Sequence, residues 1–324
     1  MKEPVDIIMK NNEAAVFILF GQSNAVGHAI PMEENDKIKI PLKNVFGLCR
    51  DKNQSFNITE LSWSGYTSSG MNLGETQDDT YSVANCLAQQ WQKKIDDGNN
   101  ENLPDLYIIQ IAIGAQGVTE KYMWHPKREA KLCPGVLGKV DISLYPFAVH
   151  VLSLLDDSMK KLGKKYEVIG LHWRGGEEDV SVEKAELENV LKKIYEEMFD
   201  GFEKAIGRKV PVVLHYDNCM EAEKRLSRSR IDRIDFINSV FDELAKKECF
   251  STFDAKKAPF YDKTAPYYGL WINDWVHYTP RTNKWVASQI LSDYIYKRRG
   301  VVAKCTDHAK HRNGLIQAFF SSLD

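Results

Sequence analysis

Val16-Phe17-Ile18-Leu19-Phe20-Gly21-Gln22-Ser23-Asn24 decides how this chain is read. An apolar run stops at a glycine, and a serine follows two residues later. Such a run reads as a buried strand that ends in a tight turn. Gly21 can take backbone angles that other residues resist. Ser23 then stands at the carboxyl end of a strand, where open α/β sheets place their ligands. The plainer reading of a serine after a strand is a turn or helix cap, so a partner for its hydroxyl is needed.

A serine hydroxyl is a weak nucleophile until a base takes its proton. The candidate base is in Trp271-Ile272-Asn273-Asp274-Trp275-Val276-His277-Tyr278-Thr279-Pro280. Asp274 and His277 are three residues apart, so in a turn their side chains can point the same way. A carboxylate there fixes the imidazole's tautomer and leaves its other nitrogen for Ser23. Thr279-Pro280 reads as a helix N-cap followed by proline at the first helical position. His277 is therefore expected on a loop just before the last long helix. His28, His125, His150, His172, His215, His308 and His311 have no carboxylate three residues earlier in a comparable loop.

These segments resemble the SGNH hydrolases, in particular the branch of sialate O-acetylesterases and carbohydrate esterase family 6, the acetylxylan esterases. That branch carries Gly-Gln-Ser-Asn near its start and Asp-x-x-His near its end. Here they stand as Gly21-Gln22-Ser23-Asn24 and Asp274-Trp275-Val276-His277. Two middle blocks are weaker. Ala112-Ile113-Gly114-Ala115-Gln116 is similar to the family's Ala-Val-Gly-Gly-Thr, and Trp173-Arg174-Gly175-Gly176-Glu177-Glu178-Asp179 to its Trp-Tyr-Gln-Gly-Glu-Ser-Asp. The four blocks occur in family order. Two departures stand out: Gly175 replaces the family's glutamine, and Ala115-Gln116 replaces its Gly-Thr pair.

The resemblance implies a three-layer α/β/α sandwich with a five-stranded parallel sheet, flavodoxin-like in type. It implies a serine esterase with Ser23, Asp274 and His277 as catalytic triad. Glu177 stays open as the alternative orienting acid; its plainer role is to accept hydrogen bonds between neighbouring loops. Donors for the oxyanion are expected from the Ser23 and Gly74 N–H groups and the Gln116 side chain, with Gly70 able to align in place of Gly74. Gln22 and Asn24 are expected to support the turn. No cofactor or metal is implied, and His125, Glu129, Cys133 and His172 match no tight ligand spacing.

The 324 residues are 43% hydrophobic and 27% charged, with net charge −2, an ordinary composition for a globular protein. The near-neutral balance points away from nucleic acid or anionic membrane as partner. The tail over 301–324, with its Lys310-His311-Arg312 cluster, reads as a solvated extension beyond an esterase domain over 1–300. The six cysteines are scattered with no Cys-x-x-Cys pair, which suits a reduced chain. Met1-Lys2-Glu3-Pro4-Val5-Asp6 lacks the apolar core of a signal peptide, so a cytoplasmic location is expected, or secretion if a leader has been removed.

Short apolar runs at 15–20, 45–48, 106–113, 167–173 and 210–215 read as buried strands. Helical patterns lie at 81–96, 145–162, 182–205, 232–247 and 280–298. The last carries a stripe of Trp285, Ile290, Leu291, Tyr294 and Ile295. This alternation argues for a parallel sheet covered on both faces. The intervals 49–80 and 114–143 read as pocket rim, and the loop aromatics Trp63, Tyr66, Tyr122, Trp124, Tyr267, Tyr268 and Trp275 as anchors or sugar platforms.

The expected activity is removal of acetyl groups from a carbohydrate, small or polymeric. Three alternatives stay open. One is a lipase-type or thioesterase-type relative acting on another acyl group. The second is a carbohydrate-binding protein with a dead site, and the third a nucleic-acid binder using the basic tail. The oligomeric state is not legible.

Overall fold

The computed structural model describes residues 12–74, 77–98, 102–130, 132–134, 140–218, 228–274 and 276–298. Strand β1, Glu13–Gly21, runs through the middle of the molecule. Its side chains alternate between two cores. Ala14, Val16, Ile18 and Phe20 enter one; Ala15, Phe17 and Leu19 enter the other. Residues of a strand alternate faces, so an unbroken apolar run is what a strand buried on both faces requires. Burying each large apolar side chain is worth about 1.5–3 kcal/mol.

The chain continues through the one-turn helix α1 (Ser23–Val26), β2 (Val45–Leu48), the one-turn α2 (Arg50–Asn53), β3 (Trp63–Gly65), α3 (Val83–Asp96) and β4 (Asp105–Ala112). A small antiparallel hairpin follows, β5 (Leu132–Pro134) with β6 (Val140–Ile142). Then come α4 (Leu144–Ser153), α5 (Leu155–Lys161), β7 (Lys165–Arg174), α6 (Lys184–Ile206), β8 (Val212–His215), α7 (Arg228–Leu244), β9 (Phe250–Phe253) and α8 (Pro280–Arg298). Residues of α4 to α7 build the first core, and residues of α3 and α8 the second. The result is a three-layer α/β/α sandwich.

The main sheet has seven strands in the order β3-β2-β4-β1-β7-β8-β9, not the five expected. The expected five are its centre, and all pair in parallel. Two edges were missed. β9 extends the parallel sheet beside β8, and β3 pairs antiparallel with β2. Each is short, and neither β3 nor β9 contains a fully buried residue, so neither shows the apolar run that marks the central strands. In chain order the central five run second, third, first, fourth, fifth. The flavodoxin order has the first and third exchanged.

The helix expected over 145–162 is two helices. The turn tightens at Leu154, whose N–H reaches the Val151 carbonyl three residues back at 3.2 Å. Helix α8 spans the expected range, and its predicted stripe from Trp285 to Ile295 is buried. Thr279 caps it, with its hydroxyl oxygen accepting the Thr282 N–H at 3.2 Å. Among the described residues no helix is long and apolar enough to cross a membrane. The 301–324 extension and Trp275 lie outside the described residues.

Candidate active site

Strands β4, β1 and β7 end at one level. Gly21 pairs with Ala112 on one side and Arg174 on the other. Three of the four sequence blocks therefore leave the sheet side by side. The chain leaves β1 toward one edge of the sheet and β7 toward the other, which makes this a topological switch point.

The turn after β1 has no room for a side chain at its glycine. Gly21 has φ +144°, and a Cβ there would stand 2.0 Å from the Arg174 carbonyl oxygen. The Gln22 N–H donates to that same carbonyl at 2.9 Å. Ser23 opens α1, and its carbonyl accepts the Gly27 and His28 N–H groups, each at 3.0 Å. The first N–H groups of a helix have no intrahelical acceptor, so those of Ser23 and Asn24 stay available at the turn. Ser23 itself is 8% exposed.

Asp274 and His277 meet. His277 Nδ1 is 2.5 Å from Asp274 Oδ2. The other carboxylate oxygen, Oδ1, accepts the Val276 and His277 N–H groups at 3.0 and 2.9 Å. Burial works against the charge on Asp274. The bonds from His277 and Val276 outweigh it and hold the carboxyl below the usual range. An acceptor at Nδ1 places the imidazole proton there, so Nε2 keeps its lone pair.

Asn24 joins the two ends of the chain. Its Nδ2 donates to the Val276 carbonyl at 3.2 Å, and its Oδ1 accepts the Tyr278 N–H at 3.2 Å. These are the neighbours of His277 on either side. Asn24 Nδ2 also donates to Glu177 Oε1 at 3.1 Å. Glu177 is therefore bound to the turn that carries Ser23 and not to the imidazole. Gln22 is buried, with its side-chain oxygen unpaired among the described residues.

The loop after β4 is held from beneath by Asp179, the last residue of the third block. Its carboxylate accepts the Val118 and Thr119 N–H groups and the Thr119 hydroxyl, at 3.1–3.2 Å. Burial pushes this carboxyl up to about 6 in spite of those bonds. Gln116 Oε1 accepts the Met123 N–H at 3.1 Å, which turns the amide so that its donating nitrogen faces away from that bond. Ala115 takes φ +59°, the left-handed conformation that the family's glycine would adopt freely.

Gly74 lies against Ala112 at the end of β4, and its N–H donates to Asn72 Oδ1 at 3.1 Å. The alternative, Gly70, donates its N–H to Asp78 Oδ1 at 2.8 Å. Both amides thus already have acceptors. At the other departure, a Cβ on Gly175 would come within 2.9 Å of the Trp173 ring, whose Nε1 donates to the Gly175 carbonyl at 2.8 Å. The indole fills the space from which the family's glutamine would start.

Most loop aromatics are anchors. Tyr66, Trp124 and Tyr268 are buried. Trp124 donates to the Gly21 carbonyl at 3.1 Å and Tyr122 to the Glu178 carbonyl at 3.2 Å, while Trp63, expected in a loop, lies in β3 and donates to the Ser158 hydroxyl at 2.9 Å. Among the described residues no group of three or more His, Cys, Asp and Glu is placed to hold a metal.

One solved structure, that of NanS, superposes with TM-score 0.56 at 14% identity, covering 89% of this chain and 98% of that one. This chain has the NanS fold. The agreement extends over nearly the whole of NanS, and it matches the α/β/α sandwich that the sequence resemblance to SGNH hydrolases implies. A carbohydrate acetylesterase from Xanthomonas citri, XAC1771, gives TM-score 0.47 at 12% identity, with 88% of this chain and 56% of that one covered. Lip_vut3, a lipase from a goat rumen metagenome, gives 0.43 at 12% identity, with 87% and 96% covered. No family model matches the chain, and no curated protein matches it in sequence.

Proposed function

We propose that the protein is a serine ester hydrolase that removes acetyl groups from a carbohydrate. The observation that carries this reading is the Asn24 clamp. It ties the turn that presents Ser23 to the backbone on both sides of His277, whose Nδ1 is held by Asp274.

In this reading Ser23 Oγ attacks the ester carbonyl carbon as His277 Nε2 takes the hydroxyl proton. Asp274 holds the tautomer and stabilises the charged imidazole. The tetrahedral oxyanion receives hydrogen bonds from the free N–H groups of the Ser23 turn and from Gln116 Nε2, and each such donor is worth roughly 100 to 1000-fold in rate. His277 returns the proton to the leaving alcohol oxygen as the C–O bond breaks. Water then attacks the acetyl-serine, giving its proton to His277, and acetate leaves with Ser23 restored. Gly74 is a poor donor here because Asn72 already occupies its N–H.

A fluorophosphonate probe tests the chemistry. Labelling of wild type and not of Ser23→Ala supports it; folded wild type that never labels abandons it in favour of a binding protein. Acyl specificity is tested with p-nitrophenyl esters of rising chain length. A steep fall beyond acetyl supports an acetylesterase, and a rise toward longer chains points to a lipase-type or thioesterase-type enzyme.

A further inference from the structure

A second imidazole stands beside His277. The ring of His28 lies 5.2 Å from that of His277, centroid to centroid, tilted by 56°. The nucleophile turn fixes where this side chain starts, because the His28 N–H donates to the Ser23 carbonyl at 3.0 Å. Its Nδ1 is 2.7 Å from Gln77 Oε1. An amide oxygen only accepts, so in the neutral ring the proton sits on Nδ1 and Nε2 keeps a lone pair. Among the described residues nothing bonds that Nε2, and the residue is partly exposed.

The two histidines are thus set up alike up to one difference. Each has its Nδ1 proton tied to a loop oxygen, and each presents Nε2 as an acceptor. Asp274 carries a charge that stabilises an imidazolium on His277, whereas neutral Gln77 offers His28 no such partner. Only one of the pair is equipped to carry a proton during the reaction. The other is equipped to receive a hydrogen bond.

We propose that His28 is a specificity-determining residue. It accepts a hydrogen bond through Nε2 from a free hydroxyl on the substrate, next to the acetylated position. This rests on the esterase reading of Ser23 and His277, and it names the substrate class: a sugar or polyol acetate with a free neighbouring hydroxyl. An ester lacking that hydroxyl leaves the acceptor unpaired.

The test compares kcat/KM on three acetates. One is a methyl glycoside monoacetate with the adjacent hydroxyl free. The second has that hydroxyl replaced by hydrogen, and the third is p-nitrophenyl acetate. Wild type is expected to prefer the first over the second by about tenfold, the size of one good neutral hydrogen bond. His28→Ala should abolish that preference, with a drop about tenfold larger on the hydroxyl-bearing ester than on p-nitrophenyl acetate. His28→Gln, whose amide oxygen also accepts, should recover part of it. Equal wild-type rates on the two glycosides, or an equal drop on all three esters in His28→Ala, overturns the inference. Wild type that cleaves p-nitrophenyl acetate without any hydroxyl preference removes only the role of His28. Wild type that cleaves none of the three and resists the fluorophosphonate removes the esterase reading and this inference with it.

Discussion

The Asn24 side-chain oxygen accepts the N–H of Tyr278, a residue 254 positions further along the chain, at 3.2 Å. With the bond to the Val276 carbonyl, it makes one short side chain the tie between the first strand's turn and the loop that carries Asp274 and His277. A nucleophile and a base supplied from opposite ends of a sequence need such a tie, because small misplacements cost rate steeply.

Asn24→Ala should therefore lower turnover by about 100-fold while the circular dichroism spectrum stays native. The variant also strips Glu177 Oε1 of its bond from Asn24. Steady-state kinetics and the rate of fluorophosphonate labelling check this together. Near-normal values for both would mean that His277 is positioned without Asn24.

Asp274 and Glu177 separate cleanly. Asp274→Asn should fold and lose roughly 10⁴-fold in kcat, because an amide presents the wrong partner to the imidazole. Glu177→Gln keeps an oxygen that can accept from Asn24, and its turnover should stay within about tenfold of wild type, as expected for an altered neutral hydrogen bond. The reverse pattern would transfer the orienting role to Glu177.

Placing at Gly175 the glutamine that SGNH hydrolases carry should not raise any esterase activity. A Cβ there meets the Trp173 ring at 2.9 Å, and that ring is fully buried. Overpacking a well-filled site costs about 1–3 kcal/mol. Gly175→Gln is thus expected to melt earlier in urea without gaining activity. A variant both as stable and more active would show that the indole yields easily.

Asp179 gives a pH signature. Its carboxyl titrates at about 6 in the folded protein, against 3.8 for an ordinary aspartic acid. The folded state holds this proton more tightly than the unfolded chain does. The stability it contributes is fully present below about pH 4 and is lost as pH rises through about 6. Asp179→Asn does not titrate, so its urea midpoint should fall less than that of wild type over this window. Parallel curves for the two proteins would place the proton elsewhere.

The central strands were legible because burial on both faces leaves an unbroken apolar run, as in Val16–Phe20. The helix α8 was legible from its threonine cap, proline and spaced stripe. The edges β3 and β9 were not, because a strand paired on one side and half exposed keeps no such signature. Helix lengths were read well, but the break at Leu154 carries no proline or glycine to announce it.

At the site, residue types and order in the chain offered Ser23, Asp274 and His277 as candidates, and the structure brings Asp274 to His277 and ties the Ser23 turn to the His277 loop through Asn24. Residue types and order left the acid open between Asp274 and Glu177, and they offered Gly74 as a donor. Both questions depend on which atoms are already bonded: Glu177 to Asn24, and the Gly74 N–H to Asn72. His28 gave no local signal at all, since its place beside His277 arises from tertiary folding across a separation of 249 positions.

Local pattern and chemistry determined the layers, the turn at Gly21 and the short list of reactive groups, because those follow from neighbours a few residues apart. Only the tertiary structure decided who partners whom. Hydrogen bonds have a reach of about 3 Å, and which groups come within that reach is set by strand register and loop return, not by spacing along the chain.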